Sequence, residues 1–227
     1  MTKTLLFLGI AIFSILSFSQ KKEATLELKF DFKFNDEKFI LNKKYISSHN
    51  DTLEIKILKF YISKICIDFD DNSNLIDTDF HLIDFENNTP LIPIIVTSDI
   101  KTKTVKKIKF SVGIDSLTNV SGAFGGDLDV TKGMYWAWQS GYINFKLEGK
   151  SNSCLTPKNK FQFHIGGYLS PFLAIREISL LPKNNDLTIA IDVSKLFSEI
   201  KLSETNSIMI PGKKAVDVAN ILTKMFY

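Results

Sequence analysis

An all-β fold, an antiparallel β-sandwich with one C-terminal helix, is what the sequence predicts. Three observations carry it: apolar and polar residues alternate with period two along most of the chain, turn-forming clusters separate the alternating runs, and helical spacing occurs only at the end. Period two places successive side chains on opposite faces of a strand, so each run buries one face. From Leu26 to Phe34 the apolar residues are Leu26, Leu28, Phe30, Phe32 and Phe34, with Glu27, Lys29, Asp31 and Lys33 between them. The same beat returns at Ile108–Ile114, Ile143–Leu147, Phe161–Ile165 and Leu187–Val193. Between Leu53 and Ile67 the parity slips after Ile57, to Leu58, Phe60 and Ile62, and returns at Ile65. A one-residue slip exchanges the faces, which predicts a bulge or a switch of sheet there. Turn signals lie at 70–74, 86–90, 121–129, 151–159 and 183–186. Beyond Pro211-Gly212, the residues Ala215, Val218, Ala219, Leu222, Met225 and Phe226 share one helical face that should dock on the sandwich. No repeat or linker interrupts the pattern, so one domain is expected over residues 21–227.

Residues 1–20 read as a signal peptide: Lys3, an apolar run from Leu5 to Phe18, and a small polar end before Lys21-Lys22. The run falls short of the roughly 20 apolar residues a membrane-spanning helix needs. No cysteine follows it to accept a lipid. The expectation is a periplasmic or extracellular protein without a stable membrane anchor. With 28 basic and 25 acidic residues the formal charge is +3, and loss of Lys3 leaves 27 − 25 = +2. So small a bias gives no argument for nucleic acid as a partner. Nineteen phenylalanines supply a large aromatic interior.

The two cysteines, Cys66 and Cys154, either form a disulfide across a long loop, as export allows, or remain two thiols that never meet. Neither belongs to a C-x-x-C pair, which argues against thiol redox chemistry. Three histidines are present. His164 alternates away from Phe161, Phe163 and Ile165, His81 opens a short strand, and His49 lies in a polar loop. Asp70–Asn74 begins like a calcium loop, but Leu75 stands where glycine is needed and His81 where the closing glutamate belongs, so a hairpin turn is expected. Asp127 and Asp129 are read as loop-stabilising residues rather than an acid–base pair. No G-x-S-x-G elbow occurs, and no enzymatic activity is expected.

The most distinctive stretch runs from Gly122 to Gly149, where a glycine-rich loop leads into Trp136 and Trp138, two positions apart on one side of a strand. Together with Lys59–Ser63, Phe80–Asp84, Phe110–Asp115, Asn119–Gly122, Gly126–Asp129, Gly133–Tyr142, Lys146–Gly149, Phe163–Gly167 and the segment from Ile208 to Phe226, this stretch resembles the MbnP family of exported copper-binding proteins. The resemblance spans nearly all of the chain beyond the signal peptide. It implies a β-sandwich that binds a copper ion through histidines beside a tryptophan that a partner di-haem peroxidase of the MauG type oxidises to kynurenine. His81 and His164 match family histidine positions, and Trp136 and Trp138 match the Trp-x-Trp block. Imidazoles with a soft third donor suit copper, and Met134 and Met209 are candidates for that donor. The rival reading keeps the fold without metal and uses Tyr135, Trp136, Trp138 and Tyr142 as an aromatic platform for a peptide, glycan or protein.

Overall fold

The computed structural model describes residues 24–87, 91–96, 103–139, 141–183 and 185–227; the expected signal peptide lies outside the described residues. The chain order is β1 (Ala24–Phe34), β2 (Glu37–Lys38), β3 (Lys44–Ile46), β4 (Thr52–Phe69), β5 (Asn74–Asp77), β6 (His81–Asp84), β7 (Leu91–Val96) and β8 (Val105–Val112). A short helix α1 (Ser116–Val120) follows, then β9 (Tyr135–Trp136), β10 (Gly141–Ser151), β11 (Lys160–Gly166), β12 (Arg176–Leu180) and β13 (Thr188–Asp192). The chain closes with α2 (Ser194–Glu199), β14 (Ser207–Ile208) and α3 (Lys213–Leu222).

Two sheets result, as expected for a sandwich. The smaller orders β13-β1-β2 with β7 also on β1; the larger orders β12-β8-β4-β10-β11-β14 with β3, β5 and β6 on β4 and β9 on β10. The sheets are mixed rather than wholly antiparallel: β1 runs parallel to β13, and β11 parallel to β14. Alternation reports which face is buried but not strand direction, and these partners lie far apart in the chain, where no hairpin fixes direction.

Strand β4 organises the molecule. Its first half pairs with β10 and its second half with β8. Both parity slips seen in the sequence are register shifts here, one between Ile55 and Ile57 opposite β10, one between Ser63 and Cys66 opposite β8. At the second, Lys64 takes a left-handed φ of 52°, the backbone signature of a bulge. Each bulge returns the apolar residues that follow it to the interior.

The main core fills the space between the sheets with Phe30, Phe32, Phe60, Phe110, Phe145, Phe161 and Phe163 among many aliphatic residues. Helix α3 buries Ala215, Val218, Ala219 and Leu222, as its spacing predicts, and Phe226 sets its ring 5.6 Å from Phe110 and 6.1 Å from Phe60. The outer face of the large sheet carries a second, smaller core of Tyr61, Leu82, Ile114, Leu128, Met134, Trp136, Tyr142 and Ile143. That outer core positions the site.

Candidate tryptophan and histidine site

The loop before the tryptophans is pinned from several directions. Asp127 accepts the Leu82 backbone N–H at 2.9 Å and the Lys132 ammonium at 2.6 Å, while Asp129 accepts the backbone and hydroxyl of Thr131 at 2.8 and 2.7 Å. Both aspartates thus hold the loop, as the sequence suggests. The Tyr61 hydroxyl donates to the Asp127 carbonyl, and the Tyr142 hydroxyl donates to that of Leu128 while accepting from Phe124 N–H. Burial raises both phenols above their ordinary value, so they remain neutral donors. Gly133, at φ 72°, turns the chain into β9, where Tyr135 and Trp136 pair with Tyr142 and Gly141.

Trp136 is 6% exposed, whereas Trp138 is 63% exposed, and their rings lie 6.0 Å apart at 50°. The buried indole lies flush on Gly166: a methyl group there would approach two of its ring carbons to 2.7 and 2.9 Å. Its indole N–H is buried without a hydrogen-bond acceptor among the described residues. Met134 is fully buried in the outer core two residues before it.

His164 precedes Gly166 by two residues on β11 and so faces the same side. His164 is only 7% exposed, its Nε2 2.7 Å from Glu148 Oε1. The hydrogen bond from His164 holds the Glu148 carboxyl below its usual range against the opposing effect of burial, with the Lys146 ammonium (3.5 Å) adding to the depression. Lys146 in turn donates to the Gly133 carbonyl at 3.1 Å. An imidazole, a carboxylate and an ammonium thus link β11 to the start of the tryptophan segment. Met209 directly follows β14, whose Ile208 is level with Phe163, and is half-buried one residue beyond the paired positions.

His81 lies elsewhere. It is paired across β4 with Ile62, a residue of the main core, whereas His164 is paired with Lys146 and through it with Lys59 on the outer face. The two imidazoles therefore take opposite faces of the large sheet. They are also three strands apart, about 14 Å at the usual interstrand spacing. The Nε2 of His81 is 2.9 Å from Asp77 Oδ2. The expectation that His81 and His164 converge on one ion is corrected on this geometry, because metal–imidazole bonds of about 2 Å cannot span it. Among the described residues no group of three or more His, Cys, Asp and Glu side chains is arranged to hold a metal ion. His49 is engaged with the Ser198 carbonyl at 3.1 Å.

The disulfide alternative is likewise not realised: both thiols are free. Cys154 is buried in the main core, and burial pushes its thiol up to about 11, while Cys66 points to the other face and donates to Asp68 at 3.3 Å. The bulge at Lys64 decides this, since Ile65 and Ile67 then take the interior positions. Glu148, Lys146, Gly166 and Asp77 were not singled out by the sequence; the first three sit within quoted motifs, but only the strand register shows what they touch.

These observations define a class: an all-β sandwich whose outer face carries a loop-clamped tryptophan pair beside a carboxylate-bound histidine. The family model that matches is described as MbnP and covers residues 23–210, so the chain belongs to the MbnP family. Among solved structures the chain is similar to MbnP from Methylosinus trichosporium, with a TM-score of 0.62 at 12% identity over 80% of each chain, a likeness of fold. No curated protein matches the chain.

Proposed function

We propose that the protein is an exported copper-binding protein of the MbnP type, which sequesters or delivers copper without turning over a substrate, and in which one tryptophan, Trp136 or Trp138, is oxidised to kynurenine by a partner di-haem peroxidase of the MauG type. Family membership supports the first part, and the N-terminal segment that reads as a signal peptide supports export. The observation that carries the reading is Trp136, packed in the outer core against Gly166 of β11 with the Trp138 ring 6.0 Å away, on the face to which His164 also turns.

The donor set fits copper only in part. The pair His81 and His164 does not fit a single ion, for the reason of faces given above. His164 with Met209 offers an imidazole and a thioether, the donor types that copper accepts in both oxidation states. Copper held there would supply a redox-active cation on the face of the large sheet that carries Trp136. The chain's own groups do the rest: Glu148 fixes the ring of His164, Gly166 admits Trp136 to within contact of β11, and the exposed Trp138 faces solvent within reach of a partner protein.

Intact and peptide mass measurement of protein isolated from its native host, with metal analysis of the same sample, tests this. Conversion at Trp136 or Trp138 together with bound copper is expected. Two unmodified tryptophans and no copper would overturn the proposal and leave the aromatic platform, which the exposure of Trp138 favours.

A further inference from the structure

A second feature lies at the far end of β10 from the tryptophans. There the strand register sets Lys44, Glu54, Lys150 and Lys160 side by side across β3, β4, β10 and β11. Lys150 and Lys160 are direct cross-strand neighbours, an arrangement of like charges that destabilises a sheet. Glu54, the one acid in the row, pairs with Lys56 at 3.0 Å. Among the described residues no ion pair engages Lys44, Lys150, Lys158 or Lys160, and all four are exposed. The turn after β10 adds Lys158 in a left-handed conformation, φ 61°, which a side chain adopts only against steric resistance.

Lys44, Lys150 and Lys158 line a groove of about 400 Å³ with the neutral Thr52, Asn152 and Asn159 and with Glu54 in its wall, and Lys160, paired with Lys150, extends the row beyond that lining. Lysine ammonium groups are compact, mobile point charges suited to oxyanions. The row from Lys44 to Lys160 crosses three interstrand spacings, about 14 Å. That is too long for one small anion and suits an oligomer with charges on successive units. The groove lining has no aromatic side chain on which a nucleobase would stack, which argues against single-stranded nucleic acid. Its hydroxyl and amide groups instead match sugar hydroxyls.

We propose that this groove binds an acidic oligosaccharide, its carboxylates held by Lys44, Lys150, Lys158 and Lys160 and its hydroxyls by Thr52, Asn152 and Asn159. The groove shares the outer face of the large sheet with His164 but lies at the opposite end of β10 from the tryptophans, and its proposed contacts need no metal.

Titration calorimetry of the purified protein with tetragalacturonate tests it, with neutral maltotetraose and inorganic pyrophosphate as comparison ligands. Tetragalacturonate should bind at low salt and weaken about tenfold or more in 0.5 M salt as screening sets in. Joint replacement Lys150→Gln and Lys160→Gln should weaken it by about tenfold or more while the thermal midpoint stays level or rises, because a like-charge pair is removed. Should that variant fold poorly, Lys158→Gln, in an exposed turn, must weaken binding in its place. Maltotetraose should not bind. Absence of tetragalacturonate binding to the unaltered protein, undiminished binding by the variants, or pyrophosphate binding as tightly as the saccharide would each overturn the proposal.

Discussion

Replacing Gly166 by alanine puts a methyl carbon 2.7 Å from a ring carbon of Trp136 and 2.7 Å from the backbone carbonyl oxygen of Tyr142. Ordinary contacts between such atoms begin well beyond 3 Å, and the carbonyl belongs to β10, so it has little freedom to retreat. Trp136 must then lift from β11, which loosens its contact with the outer core. Overpacking of this kind costs about 1–3 kcal/mol. Taking about 2 kcal/mol, a domain of this size should lose about 4–8 °C in Tm. The assay is urea unfolding with tryptophan fluorescence, read beside the near-ultraviolet circular dichroism of the folded protein. The lifted indole should shift its emission to longer wavelength, and the aromatic dichroism should weaken. A Gly166→Ala protein with unaltered stability and unaltered spectra would refute the packing of Trp136 on β11.

Trp136→Phe should cost less than about 1 kcal/mol, because it removes a buried N–H that has no acceptor and so offsets part of the lost contact, whereas Trp136→Ala should cost about 3–5 kcal/mol; equilibrium unfolding separates the two. Because the Glu148 carboxyl is depressed in the folded state, its contribution to stability is present above the unfolded value near about 4.3 and is lost as pH falls through the folded value. Glu148→Gln should therefore flatten the stability profile on the acid side of that point while lowering stability at neutral pH, as pH-dependent urea midpoints would show. Phe226→Ala empties a position lined by Phe60 and Phe110 and should destabilise the protein by about 3–5 kcal/mol in the same assay, through the docking of the C-terminal segment.

Much of the architecture was legible because burial leaves a periodic mark. The alternation in β1, β8, β10, β11 and β13 located those strands, the parity slips at Ile57 and Ile65 located both bulges of β4, and the offsets from Ala215 to Phe226 located α3. Direction and partner were not legible: nothing in Leu187–Val193 says that it lies parallel to β1. The site was legible to the extent that it is local. Trp136 and Trp138 share a segment, and the outward turn of His164 follows from its neighbours. Convergence was not, because it depends on register. His81 and His164 each alternate with apolar neighbours, yet the pairing of His81 with Ile62 and of His164 with Lys146 sends them to opposite faces. The bulge at Lys64 turns Cys66 away from the core that holds Cys154, and the β10–β11 register brings Glu148 to His164.

Copper stoichiometry in matched single variants tests the central claim most directly. Purified protein, His164→Ala and His81→Ala are each equilibrated with Cu(I), freed of unbound metal and analysed for copper per chain. Copper retained by His81→Ala and lost by His164→Ala is the predicted result, since His164 shares its face with the tryptophan pair. Equal loss in both variants, or loss only in His81→Ala, would contradict it.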